Sequence, residues 1–325
     1  LHLDAIQTIL VDMNTKRANW LFFITILFSA SVSMLLSLMM LAGFTLPIVA
    51  NMLVSELLLV LPALSFCLCT GERAGTVLPF HRIRISTVFM ILLYTVLVIP
   101  MTIFLNALSM LFVDNTVLEM SGDFLKWPVW VTILLVGVFG PFCEECVFRG
   151  VFLQSYRKSG RILGAMLLSS FLFGLMHLNF NQASYAIVIG FMLAMLTEAT
   201  GSLWSSFLCH ALFNTENVVM MYLEEKYAPE LLKQTQDMSD AAYHQMLLQQ
   251  IGIYGIFAAV CTFLAVLLVF RIAKHEGKDR LFRDIWKCSR RKNTAENKGK
   301  NRNRFISIPL ILGILVSVIF MILTV

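Results

Sequence analysis

The residues of this chain most able to do chemistry fall in three short stretches. In the first, Pro141-Phe-Cys-Glu-Glu-Cys-Val-Phe-Arg149, two adjacent carboxylates, Glu144 and Glu145, precede an arginine. The second is Phe173-Gly-Leu-Met-His177 and the third is His210-Ala-Leu-Phe-Asn214. In each of these two, residues four apart share one helix face. All three stretches lie within long apolar runs, where a charge costs at least ~2.5–3.5 kcal/mol and is kept only where it pairs or acts. The charged group therefore either marks where a membrane helix reaches water or forms half of an active site.

The chain that must position these groups is apolar. It has 325 residues, of which 58% are hydrophobic and 14% charged, whereas a soluble domain carries about a quarter charged residues. The expected fold class is all-α, a polytopic transmembrane helix bundle. Spanning ~30 Å of hydrocarbon takes ~20 residues. Apolar runs near 19–44, 47–70, 86–113, 128–156, 162–179, 183–200, 203–223, 250–272 and 305–325 predict about nine spans. The first run is longer than a signal h-region and lacks an A-x-A-like end, so no cleavable signal is expected. The chain opens on Leu1, which fits a non-ATG start codon or residues missing upstream.

Basic residues set the expected orientation. With a cytoplasmic N-terminus, the inner segments hold Lys16, Arg17, Arg73, Arg82, Arg84, Arg149, Arg157, Lys158 and Arg161, and loop 271–304 adds thirteen more. The outer segments hold only Lys126, Lys226 and Lys233, a steep positive-inside bias. The basic loop is read as attracted to an anionic leaflet, where each such residue gains ~1 kcal/mol, and not as a nucleic-acid site. Segment 224–250 reads as a polar outer loop, helical from Pro229. Of the seven cysteines, all but Cys288 lie in apolar runs, and no disulfide framework is implied.

Within the fourth span, Trp127, Pro128 and Trp130 anchor the outer interface. Gly140-Pro141 is expected to break the helix, since proline removes a hydrogen bond and clashes one turn back. Glu144 and Glu145 then fall in the first turn of the resumed helix, where free N–H groups favour carboxylates. Glu145 and Arg149 form a favourable i,i+4 pair, while Glu144 points about 100° away with no local partner. At ~1.5 Å rise per residue, Glu144 lies about 18 Å from the inner end of its helix, His177 about 22 Å and His210 about 10 Å from theirs. Those depths permit the three to meet. Two other acids stand in apolar spans: Glu198 is expected to reach the inner interface, and Glu56 has no explanation from its neighbours.

Together, Glu144-Glu145-x-x-x-Arg149, Phe173-x-x-x-His177 and His210-x-x-x-Asn214, with the Gly201-Ser202-Leu203-Trp204 lead-in, resemble the motifs of the CPBP intramembrane proteases. That family includes type II CAAX prenyl endopeptidases and bacterial Abi-type proteins. The resemblance covers about 128–217. It implies an N-terminal group of helices at 1–127, a catalytic core at 128–223, and a C-terminal region at 224–325. It also implies peptide-bond hydrolysis near the membrane, with peptide or protein as substrate. Glu144 would be the general base and His177 would help hold the water. His210 and Asn214 would form the oxyanion pocket, with Glu145, Arg149 and Phe173 as structural support.

Family members are often called metalloproteases, and Glu144, His177 and His210 are the candidate ligands if zinc is used. No H-E-x-x-H pair is present, so metal-free, glutamate-activated water is preferred and no cofactor is required. Cys143-x-x-Cys146 reads as packing filler. Cys209 and His210 are adjacent on a helix and diverge, so no Cys–His nucleophile is expected. The location implied is a bacterial plasma membrane. The rival reading is a non-catalytic scaffold or transporter that uses the polar cluster for binding; against transport, no second symmetry-related broken helix is found.

Overall fold

The computed structural model describes residues 14–286 and 305–324. Most of the basic loop, and Cys288, therefore lie outside the described residues. The rest is helical. Helices stand at all nine predicted positions: α1 Thr15–Leu41, α2 Ile48–Thr70, α4 Ile85–Ser109, α6 Val129–Arg157, α7 Ile162–Met176, α8 Phe180–Thr200, α9 Leu203–Tyr227, α11 Asp240–His275 and α13 Ile308–Leu323. Shorter helices α3 Ala74–Val77, α5 Thr116–Phe124, α10 Pro229–Gln236 and α12 Asp279–Trp286 lie between them. Six (α1, α2, α4, α6, α8 and α11) are long and apolar enough to cross a membrane. Helices α7 and α13 are apolar but have only 15 and 16 residues. The chain is a multi-pass membrane protein built as an all-α bundle.

Turn chemistry fixes where the helices around the polar residues begin and end. Asn179 caps α8 by accepting a hydrogen bond from the Gln182 amide. Gly201 ends α8 in the left-handed conformation (φ 71°), and Ser202 then caps α9 by accepting from the Trp204 amide. Side-chain caps of this kind supply partners to helix-start amides that lack any within the helix. Helix α7 stops at Met176, so His177 sits on its C-terminal cap and not within a longer span. Leu178 follows with φ 53°, a conformation that strains any residue with a Cβ.

Helix α8 is the axis of the bundle. In its apolar window 72% of residues are buried, against 11% for α2 and 17% for α11. It packs on α7, α9, α4 and α11, while α9 lies along the first half of α6. Helix α2 leans on the middle of α6, and α13 pairs with α1 at the periphery. The three polar stretches are thus carried by α6, α7 and α9, which meet around α8.

Candidate active site

Helix α6 does not break. Its backbone is helical from Val129 to Arg157, with wider π turns at Ile133–Phe139 and Cys146–Phe152 around an α-helical Gly140–Glu145. The expected interruption at Gly140-Pro141 is therefore corrected to a local widening. The Gly140 amide reaches back five residues to the Leu135 carbonyl. In that pattern the next carbonyl, Val136, would wait for the N–H that Pro141 lacks. Asn214 supplies the donor instead: its Nδ2 lies 3.1 Å from the Val136 oxygen. Glu144 and Glu145 consequently belong to a continuous helix, without the dipole end of a resumed one.

The two glutamates face different surroundings. The Glu145 side chain is 1% exposed and the Glu144 side chain 21%. Glu145 Oε1 accepts from Arg149 Nη1 at 2.7 Å, the i,i+4 pair expected from the spacing. Arg149 is itself fully buried, so it does not count among the charges of an inner loop, and the positive-inside tally falls from twenty-two to twenty-one. Its Nη2 donates to the Gly190 carbonyl of α8 at 3.0 Å. A Cβ at residue 190 would lie 3.2 Å from that nitrogen and 3.0 Å from the Phe173 ring, and a glycine leaves this approach open. The guanidinium carbon lies 4.4 Å from the centre of the Phe173 ring, a cation–π contact that partly replaces lost hydration.

Phe173 organises the histidines as well. Its ring meets His177 edge-on at 5.0 Å and His210 edge-on at 5.8 Å. His177 Nδ1 is 2.9 Å from the Phe173 carbonyl. A carbonyl can only accept, so Nδ1 carries the proton and a neutral ring keeps Nε2 as an acceptor. His210 Nδ1 is 2.9 Å from Glu145 Oε1, and its Nε2 is 3.5 Å from Glu144 Oε2. One ring thereby bridges the sealed carboxylate and the open one, with the sealed partner fixing its orientation.

All seven residues singled out from the sequence lie around this junction: Glu144, Glu145 and Arg149 from α6, Phe173 and His177 from α7 and its cap, His210 and Asn214 from α9. Among the contacts not foreseen are those of His210 with Glu145 and of Asn214 with Val136. The first is purely tertiary and left no sequence signal. The second could have been found from Pro141, whose missing N–H requires another donor near Val136. Glu198, expected at the interface, is 3% exposed and pairs with Arg157 Nε at 3.2 Å, so it reaches a cation before it reaches water. Cys209 accepts from Thr95 Oγ1 at 3.3 Å, a packing role.

Among the described residues no group of three or more His, Cys, Asp and Glu side chains is placed to hold an ion. His210 Nδ1 faces the Glu145 carboxylate and His177 Nδ1 the Phe173 carbonyl. The metalloprotease designation is not supported by this arrangement.

The fold is a multi-pass membrane helix bundle, with two carboxylates, two histidines and an asparagine gathered where α6, α7 and α9 meet. Residues 126–215 match the family model described as type II CAAX prenyl endopeptidase Rce1-like. Over 100 residues the chain is 28% identical to the "Putative membrane peptidase YdiL" of Bacillus subtilis (strain 168). That alignment covers 29% of this chain and 41% of the relative, so the chain spans about two fifths of the relative's length. No solved structure matches the chain. The family-level likeness is to peptidases, and it falls on the segment that carries all seven residues.

Proposed function

We propose that this chain is an intramembrane endopeptidase that hydrolyses a peptide bond near the membrane with water activated by Glu144. The observation that carries the proposal is the open carboxylate: Glu144 is the exposed member of an adjacent pair, and His210 Nε2 lies 3.5 Å from it. Glu144 takes a proton from water as the oxygen attacks the scissile carbonyl. It then returns a proton to the leaving amine, so the base is regenerated. A positioned base of this kind is worth about 10²–10⁴-fold in rate. The free acceptor Nε2 of His177 holds the attacking water. The second N–H of Asn214, and His210 once its Nε2 also carries a proton, meet the oxyanion, and donors aimed at developing charge count most where water is scarce.

Glu145, Arg149 and Phe173 hold these groups in place and do not touch substrate. The catalytic unit is 128–223, flanked by 1–127 and 224–325, in a bacterial plasma membrane with the N-terminus cytoplasmic. The substrate is a peptide or protein, met at the lipid surface, and no metal takes part. Metal analysis of the purified protein, with a chelator arm on cleavage, tests that last point; stoichiometric zinc whose removal abolishes cleavage contradicts it. The unbroken α6 weakens the transporter alternative, whose support was a broken helix beside a carboxylate. Comparing membrane peptide products of a strain carrying Glu144→Gln with those of the intact strain tests the activity. Peptides present only in the intact strain are expected, and identical product sets contradict the proposal.

A further inference from the structure

A third carboxyl group approaches the open side of α6 from outside the family-like segment. Glu56 stands in the outward-facing helix α2, whose neighbours Leu53, Leu57, Leu61 and Leu64 are exposed as lipid-facing residues are. Helix α2 packs on α6 at Gly140–Phe152. Glu56 Oε1 lies 3.3 Å from where a Cβ on residue 140 would stand, and the carboxyl group hydrogen-bonds the Cys143 thiol. Gly140 and Glu144 are four apart on one helix face, so Glu56 stands on the side of α6 that carries Glu144.

A thiol is a weak donor, and Oε2 of Glu56 is buried with no hydrogen-bond partner at all. Among the described residues, no Lys, Arg or His side chain forms an ion pair with Glu56. Glu145 is already matched by Arg149, so Glu56 and Glu144 leave the open side of α6 rich in acceptors and short of donors. Carboxyl groups at membrane depth are retained where something pairs with them. Among the described residues, no cationic side chain fills that place for Glu56.

We infer that Glu56 is a substrate-selecting residue, which accepts a hydrogen bond from a cationic side chain, lysine or arginine, of a peptide bound beside Glu144. The inference rests on the proteolytic reading for its substrate class. The last torsion of a glutamate is soft, so Oε2 turns from its packed position as the donor arrives. Gly140, without a Cβ, lets the Glu56 carboxyl pack close against α6. Selection by a charge from a flanking helix would separate what is cleaved from how it is cleaved.

The test uses the full chain in lipid nanodiscs and a set of fluorescent twelve-residue Ala/Leu peptides. One position is walked along the peptide as Lys, norleucine or Glu, and binding is read by anisotropy. At one or two adjacent registers the Lys peptide is expected to bind at least tenfold tighter than the norleucine peptide. Glu56→Gln, which keeps an acceptor for the Cys143 thiol, brings that ratio close to one, and Glu56→Lys shifts preference to the Glu peptide. Equal binding of Lys and norleucine peptides at every register by the unmodified protein overturns the inference without any variant. So does a Lys preference that survives Glu56→Gln. Cleavage of the same peptides is followed in parallel: selection without cleavage upholds the role of Glu56 and sinks the proteolytic reading, whereas cleavage without selection sinks this inference alone.

Discussion

Two sides of one helix, α6, solve opposite problems with the same side chain. On the sealed side, Glu145 gives Oε1 to Arg149 and to His210 Nδ1, and Arg149 goes on to the Gly190 carbonyl and the Phe173 ring. On the open side, the ion pair that the described residues give Glu144 is the more distant His210 Nε2 at 3.5 Å, and 21% of the Glu144 side chain stays exposed. The sealed side gains fixed geometry and gives up access. The open side keeps access, and it inherits its geometry from the other side through the shared imidazole. Rigidity and reactivity are thus assigned to neighbouring residues of one sequence.

The comparison breaks most severely at the buried pair. Removing one partner of a buried ion pair leaves an uncompensated charge and costs about 3–5 kcal/mol. Arg149→Ala is expected to lower thermal stability in detergent by that order and to cost all cleavage. Adding Glu145→Gln to Arg149→Met should recover most of the stability, since a neutral pair no longer needs compensation, while cleavage stays low because His210 has lost its anchor. Thermal unfolding followed by tryptophan fluorescence measures both.

Asn214 ranks next, because it serves both the helix and the site. Asn214→Ala leaves the Val136 carbonyl without its donor, an unmet buried group worth about 1–3 kcal/mol. On the proposed mechanism it also removes an oxyanion donor, with an expected loss of about 10²–10³-fold in rate. If cleavage falls with no change in stability, the Val136 contact is incidental. Gly190→Ala should cost about 1–3 kcal/mol by crowding Arg149 and Phe173, as overpacking does, with activity falling in parallel. The smallest effect is expected at the membrane edge. Lys158→Ala breaks the ion pair with Glu72 near the C-terminal end of α6 and should change stability by less than about 1 kcal/mol, as for other partly exposed pairs.

Much of this was legible in the sequence, for identifiable reasons. The Glu145–Arg149 pair followed from i,i+4 spacing, and the same geometry left Glu144 without a local partner. The nine helix positions followed from apolar runs. The continuity of α6 was not legible, because a proline at membrane depth has two outcomes, a break or a widened turn. Asn214, nearly eighty residues away, decides which. The contact of His210 with Glu145 was hidden for the same reason: sequence spacing reports neighbours on one helix and is silent about neighbours between helices. Glu56 was visible as an unexplained charge, but its place against Gly140 and Cys143 depends on how α2 leans on α6. The resemblance could not have supplied it, since it covers neither α2 nor any other flanking helix.

The central claim is that adjacent glutamates divide the work, one reacting and the other holding. Purified Glu144→Gln and Glu145→Gln proteins, taken through thermal unfolding and peptide cleavage side by side, test it most directly. The account predicts that Glu144→Gln unfolds with the unmodified protein, within a degree or two, yet cleaves about 10²–10⁴-fold more slowly, the share of a general base. Glu145→Gln is predicted to lose stability first and activity as a consequence. Near-normal cleavage by Glu144→Gln, or a loss of stability there as large as in Glu145→Gln, would contradict it.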